Sequence, residues 1–172
     1  MNLFLIRHGQ SIVNVDREFM TQTPNMLGEL TAFGRDQARQ TGEYLAKEIN
    51  SRPLKNSKIV VWNSPYLRTT QTADIIKEKL SEHGIKYVAK ESIYLAERQF
   101  GLLDNHAEIQ NTHKAEIDHY KMHVQQGEDF WVRPPLGESP FDMCLRIDSF
   151  IQTHVLPTYD YDTTHVFVAH GA

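Results

Sequence analysis

Two histidine–glycine pairs each close an apolar run: Leu5-Ile6-Arg7-His8-Gly9 near the start, and Val168-Ala169-His170-Gly171-Ala172 at the end. An open parallel sheet binds ligands in the crevice outside the carboxyl ends of its strands. If both runs are strands of one sheet, His8 and His170 share that edge, with Arg7 beside them. A neutral imidazole is a nucleophile, and a guanidinium orients and neutralises a dianion, so the set suits attack on a phosphoryl group. Either histidine alone carries little, because a lone His after a strand is more often a loop or core residue. Arg68 and Glu97 change that balance. Arg68 falls near the positive end of the helix predicted after Ser64-Pro65, where anions are favoured. Glu97 follows a candidate strand at 87–95. A solvated helix arginine and a surface glutamate beside Arg98 are the commoner readings of each taken singly. What points to a site is convergence: Arg7, His8, Arg68, Glu97 and His170 all lie just beyond a predicted strand end.

The elements that must position these residues are legible. Residues 3–6 and 59–62 are short, wholly apolar runs, as expected of strands buried on both faces. The run at 87–95 is a weaker, alternating candidate, and 166–169 is the fourth. Helices alternate with them. Thr31 is an N-cap for a helix to about Ile49, with Gly34, Ala38, Gly42, Leu45 and Ile49 in a narrow stripe that packs closely on a sheet. Ser64, with Pro65 at the first helical position, caps a helix to about Leu80. Ser139-Pro140-Phe141-Asp142 is a capping box, opening a helix that turns Met143, Ile147, Phe150, Ile151 and Val155 inward and ends at Pro157. The pattern predicts an α/β three-layer sandwich with a mainly parallel central sheet and helices on both faces. Residues 14–29 read as a long polar loop. Residues 104–126 read as one helix with Ile109, Ile117, Tyr120 and Val124 on one side, followed by the proline-bearing stretch 127–137. The insertion 104–136 is expected to form a helical lid over the strand ends, and long loops of this kind are often functional.

Composition narrows the field. The chain has 172 residues, 40% hydrophobic and 23% charged, enough for a single domain spanning 1–172 with a sizeable core. A net charge of −4 argues against a broad nucleic-acid-binding surface. The single cysteine, Cys144, cannot form an internal disulfide, which fits a reducing cytoplasm. Arg7 interrupts the first apolar run too early for a signal peptide, and no run reaches transmembrane length. A cytoplasmic protein without a membrane or nucleic-acid partner is expected, and the oligomeric state is open.

The ordered motifs resemble the histidine phosphatase superfamily, also called phosphoglycerate-mutase-like. They run through Arg7-His8-Gly9-Gln10-Ser11 with Asn14, Leu30-Thr31 with Gly34, Gln37 and Ala38, and Ser64-Pro65-Tyr66-Leu67-Arg68-Thr69 with Gln71-Thr72-Ala73. Glu97-Arg98 with Phe100-Gly101, Gly137-Glu138-Ser139 and His170-Gly171 complete the set. The resemblance implies that His8 is the nucleophile and forms a phosphohistidine. It implies that Arg7, Arg68 and His170 hold the phosphoryl oxygens, with Asn14 assisting. Glu97 would protonate the leaving-group oxygen and later activate water. It also implies a further helix after His170-Gly171. The stretches at 97–101 and 137–139 look more like the general phosphatase branch than the mutases.

Physical chemistry agrees with those roles. An attacking imidazole must be neutral, and Arg7 and Arg68 should lower the pKa of His8. A backbone carbonyl on its other ring nitrogen would fix the tautomer. Phosphoryl transfer depends on positioning and charge stabilisation, which two arginines supply without a metal. Glu97 must be protonated when it donates, so desolvation or bound phosphate should raise its pKa. The competing site is metallic: His106, His113, His119 and His123 cluster with Glu116, and His119 and His123, one turn apart, could share an ion. His113, however, falls on the apolar stripe. The expectation is therefore no metal and no cofactor. The leading function is metal-independent hydrolysis of small phosphate monoesters. The alternatives are a phosphoglycerate-type mutase and a non-catalytic phospho-ligand-binding module on the same fold. Arg17, Arg98 and Arg133 could meet a second anionic group, and 14–29 with 104–136 should set specificity.

Overall fold

A computed structural model of the protein describes residues 1–16, 18–51, 58–104, 107–158 and 163–171. Arg17, His106 and Ala172 lie outside the described residues. Four strands form one sheet: β1 (Asn2–Arg7), β2 (Lys58–Asn63), β3 (Tyr87–Glu91) and β4 (Thr163–Ala169). Their order is β1-β4-β2-β3, and every pairing is parallel. The helices are α1 (Ile12–Val15), α2 (Phe19–Gln22), α3 (Ala32–Ser51), α4 (Leu67–Glu82), α5 (Ala107–Thr112), α6 (Lys114–Gln125) and α7 (Pro140–Phe150).

The apolar patterns dictate three layers. The small-residue stripe of α3 is buried as expected, at Gly34, Ala38, Gly42, Leu45 and Ile49. With Ala73, Ile76 and Leu80 of α4 it covers Ile59, Val61, Val166 and Val168 on one sheet face. On the other face, Phe150 of α7 and Val155 pack on Val60, Trp62, Leu95 and Phe167. Each such side chain fully removed from water contributes roughly 1.5–3 kcal/mol. The Ser139 capping box forms as read: its Oγ accepts from the Asp142 amide, and the Asp142 carboxylate accepts from the Ser139 amide. No helix among the described residues is long and apolar enough to cross a membrane.

Several expectations need correction. β1 is not buried on both faces, since Leu3 is 52% and Leu5 81% exposed. β1 is the outer neighbour of β4, whereas Phe150 of α7 packs on Trp62 of β2 and Phe167 of β4. An apolar groove of about 580 Å³ runs there, from Leu3 and Leu5 past Met143 and Ile147 to Arg7, Glu97 and His170. Ile151 lines this groove and is 38% exposed rather than inward. The strand at 87–95 stops at Glu91, and Ile93–Leu95 is a 3₁₀ turn. The stretch 14–29 is not a plain loop: α2 and the 3₁₀ turn Asn25–Leu27 lie within it. The single helix expected over 104–126 is two helices that break at His113, and Ile109 is exposed. Past Phe150 the chain continues as a π turn, Ile151–Val155.

Candidate active site

The sheet register creates the site. Arg7 pairs with Ala169 across β1 and β4, so the residues that follow them, His8 and His170, leave the sheet side by side. The His8 amide still donates to the Ala169 carbonyl at 3.0 Å, and the Ser64 amide donates to the Val168 carbonyl at 3.1 Å. The His8 and His170 rings meet edge to face with centroids 5.2 Å apart. Two glycines let this edge close. A Cβ on Gly34 would stand 1.9 Å from the Gln10 carbonyl oxygen, and one on Gly9 would stand 2.3 Å from the Gly34 oxygen. The start of α3 can therefore press directly on the loop that carries His8.

The hydrogen bonds of His8 fix its tautomer. Its Nδ1 lies 2.7 Å from the Gly9 carbonyl, which can only accept, so Nδ1 carries the proton. Its Nε2 accepts from Arg68 Nε at 3.2 Å. The nucleophilic lone pair thus sits on the nitrogen nearest the guanidinium. Burial, more than the charges of Arg68 and Arg7, lowers the pKa of His8 to about 4, against the opposing pull of the Gly9 carbonyl. Desolvation, rather than the arginines to which the sequence points, is the larger cause.

His170 is held from the far side. Ser64 Oγ lies 2.8 Å from its Nε2, and the Tyr66 ring packs on it edge to face at 4.9 Å. Its Nδ1 is buried without a hydrogen-bond partner, 3.5 Å from Glu97 Oε2. Burial and the Arg68 charge push its pKa well below the ordinary imidazole value. Ser64 is therefore not the helix cap that the sequence suggested. α4 begins at Leu67 with Tyr66 as N-cap, because the ladder extends to Ser64 and turns its hydroxyl toward His170.

Arg68, second residue of α4, stays on its positive end and is almost wholly buried. Nη2 is 3.7 Å from Glu97 Oε2, and Nη1 donates to Asn25 O at 2.8 Å and Asn25 Oδ1 at 3.1 Å. Glu97 Oε1 accepts from the Arg98 amide at 3.0 Å. Burial raises the Glu97 pKa, partly offset by that bond and by Arg68 and Arg7. Arg7 packs against Gly171. Asn14 is exposed, and its Oδ1 accepts from Ser11 N and Oγ at 2.9 Å, which caps α1. The structure thus brings Arg7, His8, Arg68, Glu97 and His170 together. The bonds that Asn14 makes are the capping bonds of α1.

Sequence reasoning missed several supports. Thr72 accepts the Gly9 amide at 3.2 Å, and its place one turn after Arg68 was a usable signal. Arg146 of α7 donates to the carbonyls of Tyr94 at 2.6 Å and Ala96 at 2.9 Å, and to Glu138 Oε1 at 2.8 Å. It clamps the strand-to-loop turn that carries Glu97, and no sequence signal announced it.

For metal, His119 and His123 present their Nε2 atoms 3.2 Å apart, with Glu128 on His123 Nδ1. Among the described residues the one group of three potential ligands is His8, Glu97 and His170. Two guanidinium groups flank it, which favours an anion there over a cation.

Paired imidazoles, a buried arginine and a carboxyl whose pKa burial raises thus lie together at the carboxyl edge of a parallel α/β sheet. Residues 3–172 match the profile of the histidine phosphatase superfamily (branch 1), and the chain belongs to that superfamily. It is 28% identical to a phosphoglycerate mutase-like protein of Arabidopsis thaliana over 98% of its own length and 54% of the relative's. The chain thus spans about half the length of that relative. It is 29% identical to a 2,3-bisphosphoglycerate-dependent phosphoglycerate mutase of Gloeobacter violaceus, over 98% of this chain and 70% of that one. The α-ribazole phosphatase of Shigella flexneri superposes with a TM-score of 0.69 at 25% identity, over 99% of this chain and 74% of that one. Phosphatases and mutases both occur among these relatives.

Proposed function

We propose that the protein hydrolyses small phosphate monoesters without a metal, through a phosphohistidine on His8. The observation that carries this reading is the fixed tautomer of His8, whose unprotonated Nε2, held by the Arg68 N–H, faces His170 Nδ1 and Glu97. Nε2 attacks phosphorus while the ester P–O bond breaks, and the departing oxygen takes the proton of Glu97. Water then attacks the phosphohistidine and gives a proton to Glu97 as the N–P bond breaks. Inorganic phosphate leaves, and His8 and protonated Glu97 are restored. Arg68 and Arg7 hold the non-bridging oxygens. With Ser64 donating to Nε2 of His170, the proton on its unpartnered Nδ1 is free to bond a third oxygen. Asn14 retains its amide N–H groups as auxiliary donors.

A mutase must also hold a second anionic group. Arg98 is engaged by the Glu138 carbonyl and Tyr120, Arg133 by Asp142, and Arg146 by Glu138. Arg7 and Arg68, the latter also bonded to His8 and Asn25, are the two that flank the His8 imidazole, and they suit one dianion there. The segment 104–136, tied to the site through Tyr120 and through the Leu102–Pro135 backbone bond, is the cover that sets specificity. The lone Cys144 suits action in the reducing cytoplasm.

The test is a phosphate-ester panel with phosphate detection, joined to rapid quench with labelled substrate. An acid-labile, base-stable label lost in His8→Ala is expected. Isomerised ester without phosphate would establish the mutase. Phosphate binding without turnover would establish a binding module.

A further inference from the structure

The three nitrogens of the Arg68 guanidinium are each assigned: Nε to His8, Nη2 toward Glu97, and Nη1 to Asn25. The group is a rigid plane, so fixing one nitrogen fixes the directions of the other two. Asn25 opens the 3₁₀ turn Asn25–Leu27, in a segment far in sequence from α4. It meets Nη1 with both its backbone oxygen and its side-chain oxygen. The Asn25 side chain also faces the Asp104 carboxyl, at the end of the 3₁₀ turn Gly101–Asp104, and favours its charged form.

We infer that Asn25 is a positioning residue that aims Arg68 at the phosphoryl group. This rests on the phosphatase reading only in taking Arg68 as the phosphate ligand.

The chemistry explains why a carboxamide serves here. Asn25 Oδ1 accepts from Arg68 while the carboxamide, being neutral, adds no charge beside Asp104. A buried guanidinium leaves costly unpaired N–H groups unless acceptors are supplied. A carboxylate at position 25 would supply them too. It would also neutralise the charge that must meet phosphate, and it would stand against Asp104. The amide gives direction without cancelling charge. The backbone carbonyl of Asn25 persists in any variant, so side-chain removal should loosen the aim rather than abolish it.

The test measures binding of inorganic phosphate by calorimetry, alongside turnover of a phosphate monoester, on the full chain. Asn25→Ala should weaken phosphate binding about tenfold, one hydrogen bond to a charged group, with thermal stability nearly unchanged. Asn25→Asp should weaken it more, and Asp104→Asn in the Asn25→Asp background should recover part of the loss. In an Arg68→Ala background, Asn25→Ala should add no more than about twofold, because its effect passes through Arg68. An unchanged affinity in Asn25→Ala, or equal losses with and without Arg68, would overturn the inference. If Asn25→Ala unfolds, Asn25→Asp against its Asp104→Asn partner decides the matter, and absence of recovery counts against it. Wild-type protein that binds phosphate without turning over any ester defeats the phosphatase reading and leaves the binding comparison intact. Wild-type protein that binds no phosphate defeats this inference as well.

Discussion

The depressed pKa of His8 makes a prediction about stability that needs no substrate. A histidine titrating near 6.5 in the unfolded chain and at about 4 in the fold binds its proton later in the native state. The sign follows directly. Above pH 6.5 both states hold neutral imidazole and the shift contributes nothing. As pH falls below 6.5 the unfolded state is protonated first and gains, so stability is lost until pH 4, where the loss levels off. The full loss is roughly 3 kcal/mol at 1.36 kcal/mol per pK unit, and about 2 kcal/mol has gone by pH 5. Carboxylates and other histidines also titrate in this window, so the experiment needs a difference. His8→Asn keeps a donor near the Gly9 carbonyl and removes the titrating group. Urea unfolding of wild type and variant at pH 7.5 and pH 5.0 gives four free energies. The wild type should lose about 2 kcal/mol more than His8→Asn between the two pH values. Equal losses would mean that His8 titrates at its ordinary value in the fold. The buried, neutral nucleophile would then fail as a physical account.

Three further outcomes follow from the same geometry. Glu97→Gln removes the transferable proton and should slow phosphorylation of His8 by sugar or glycerol phosphates by about a hundred- to ten-thousand-fold, with far less effect on nitrophenyl phosphate. Pre-steady-state bursts separate this from the later step, and equal falls for both leaving groups would make Glu97 merely electrostatic. Turnover should survive exhaustive chelation, since the arginines carry the charge stabilisation, and activity lost to chelator and restored by zinc or magnesium would reject that assignment. Gly34→Ala places a Cβ 1.9 Å from a backbone carbonyl that cannot yield. It should cost at least 1–3 kcal/mol in denaturant unfolding, with turnover falling as the His8 loop shifts.

The sequence by itself determined the class of fold, because hydrophobic periodicity and caps act locally. The apolar stripe of α3, the Ser139 capping box and the four strand positions needed nothing beyond their own neighbours along the chain. It also placed Arg7, His8, Arg68, Glu97 and His170 at strand ends, and parallel strands must deliver such residues to one edge. Tertiary structure alone decided how those residues are wired. That Ser64 serves His170 rather than α4 follows from the register of β2 against β4, which no local pattern encodes. The exposure of Leu3 and Leu5 depends on which strand is outermost, and an apolar run reads the same in either place. The break at His113 set two helices where one amphipathic pattern was visible. Asn25 on Arg68, and Arg146 on the carbonyls beside Glu97, join segments about 40 and 50 residues apart in sequence. Such polar contacts have no periodicity. They exist only when the sheet and the layers on its two faces have brought distant turns within hydrogen-bonding distance.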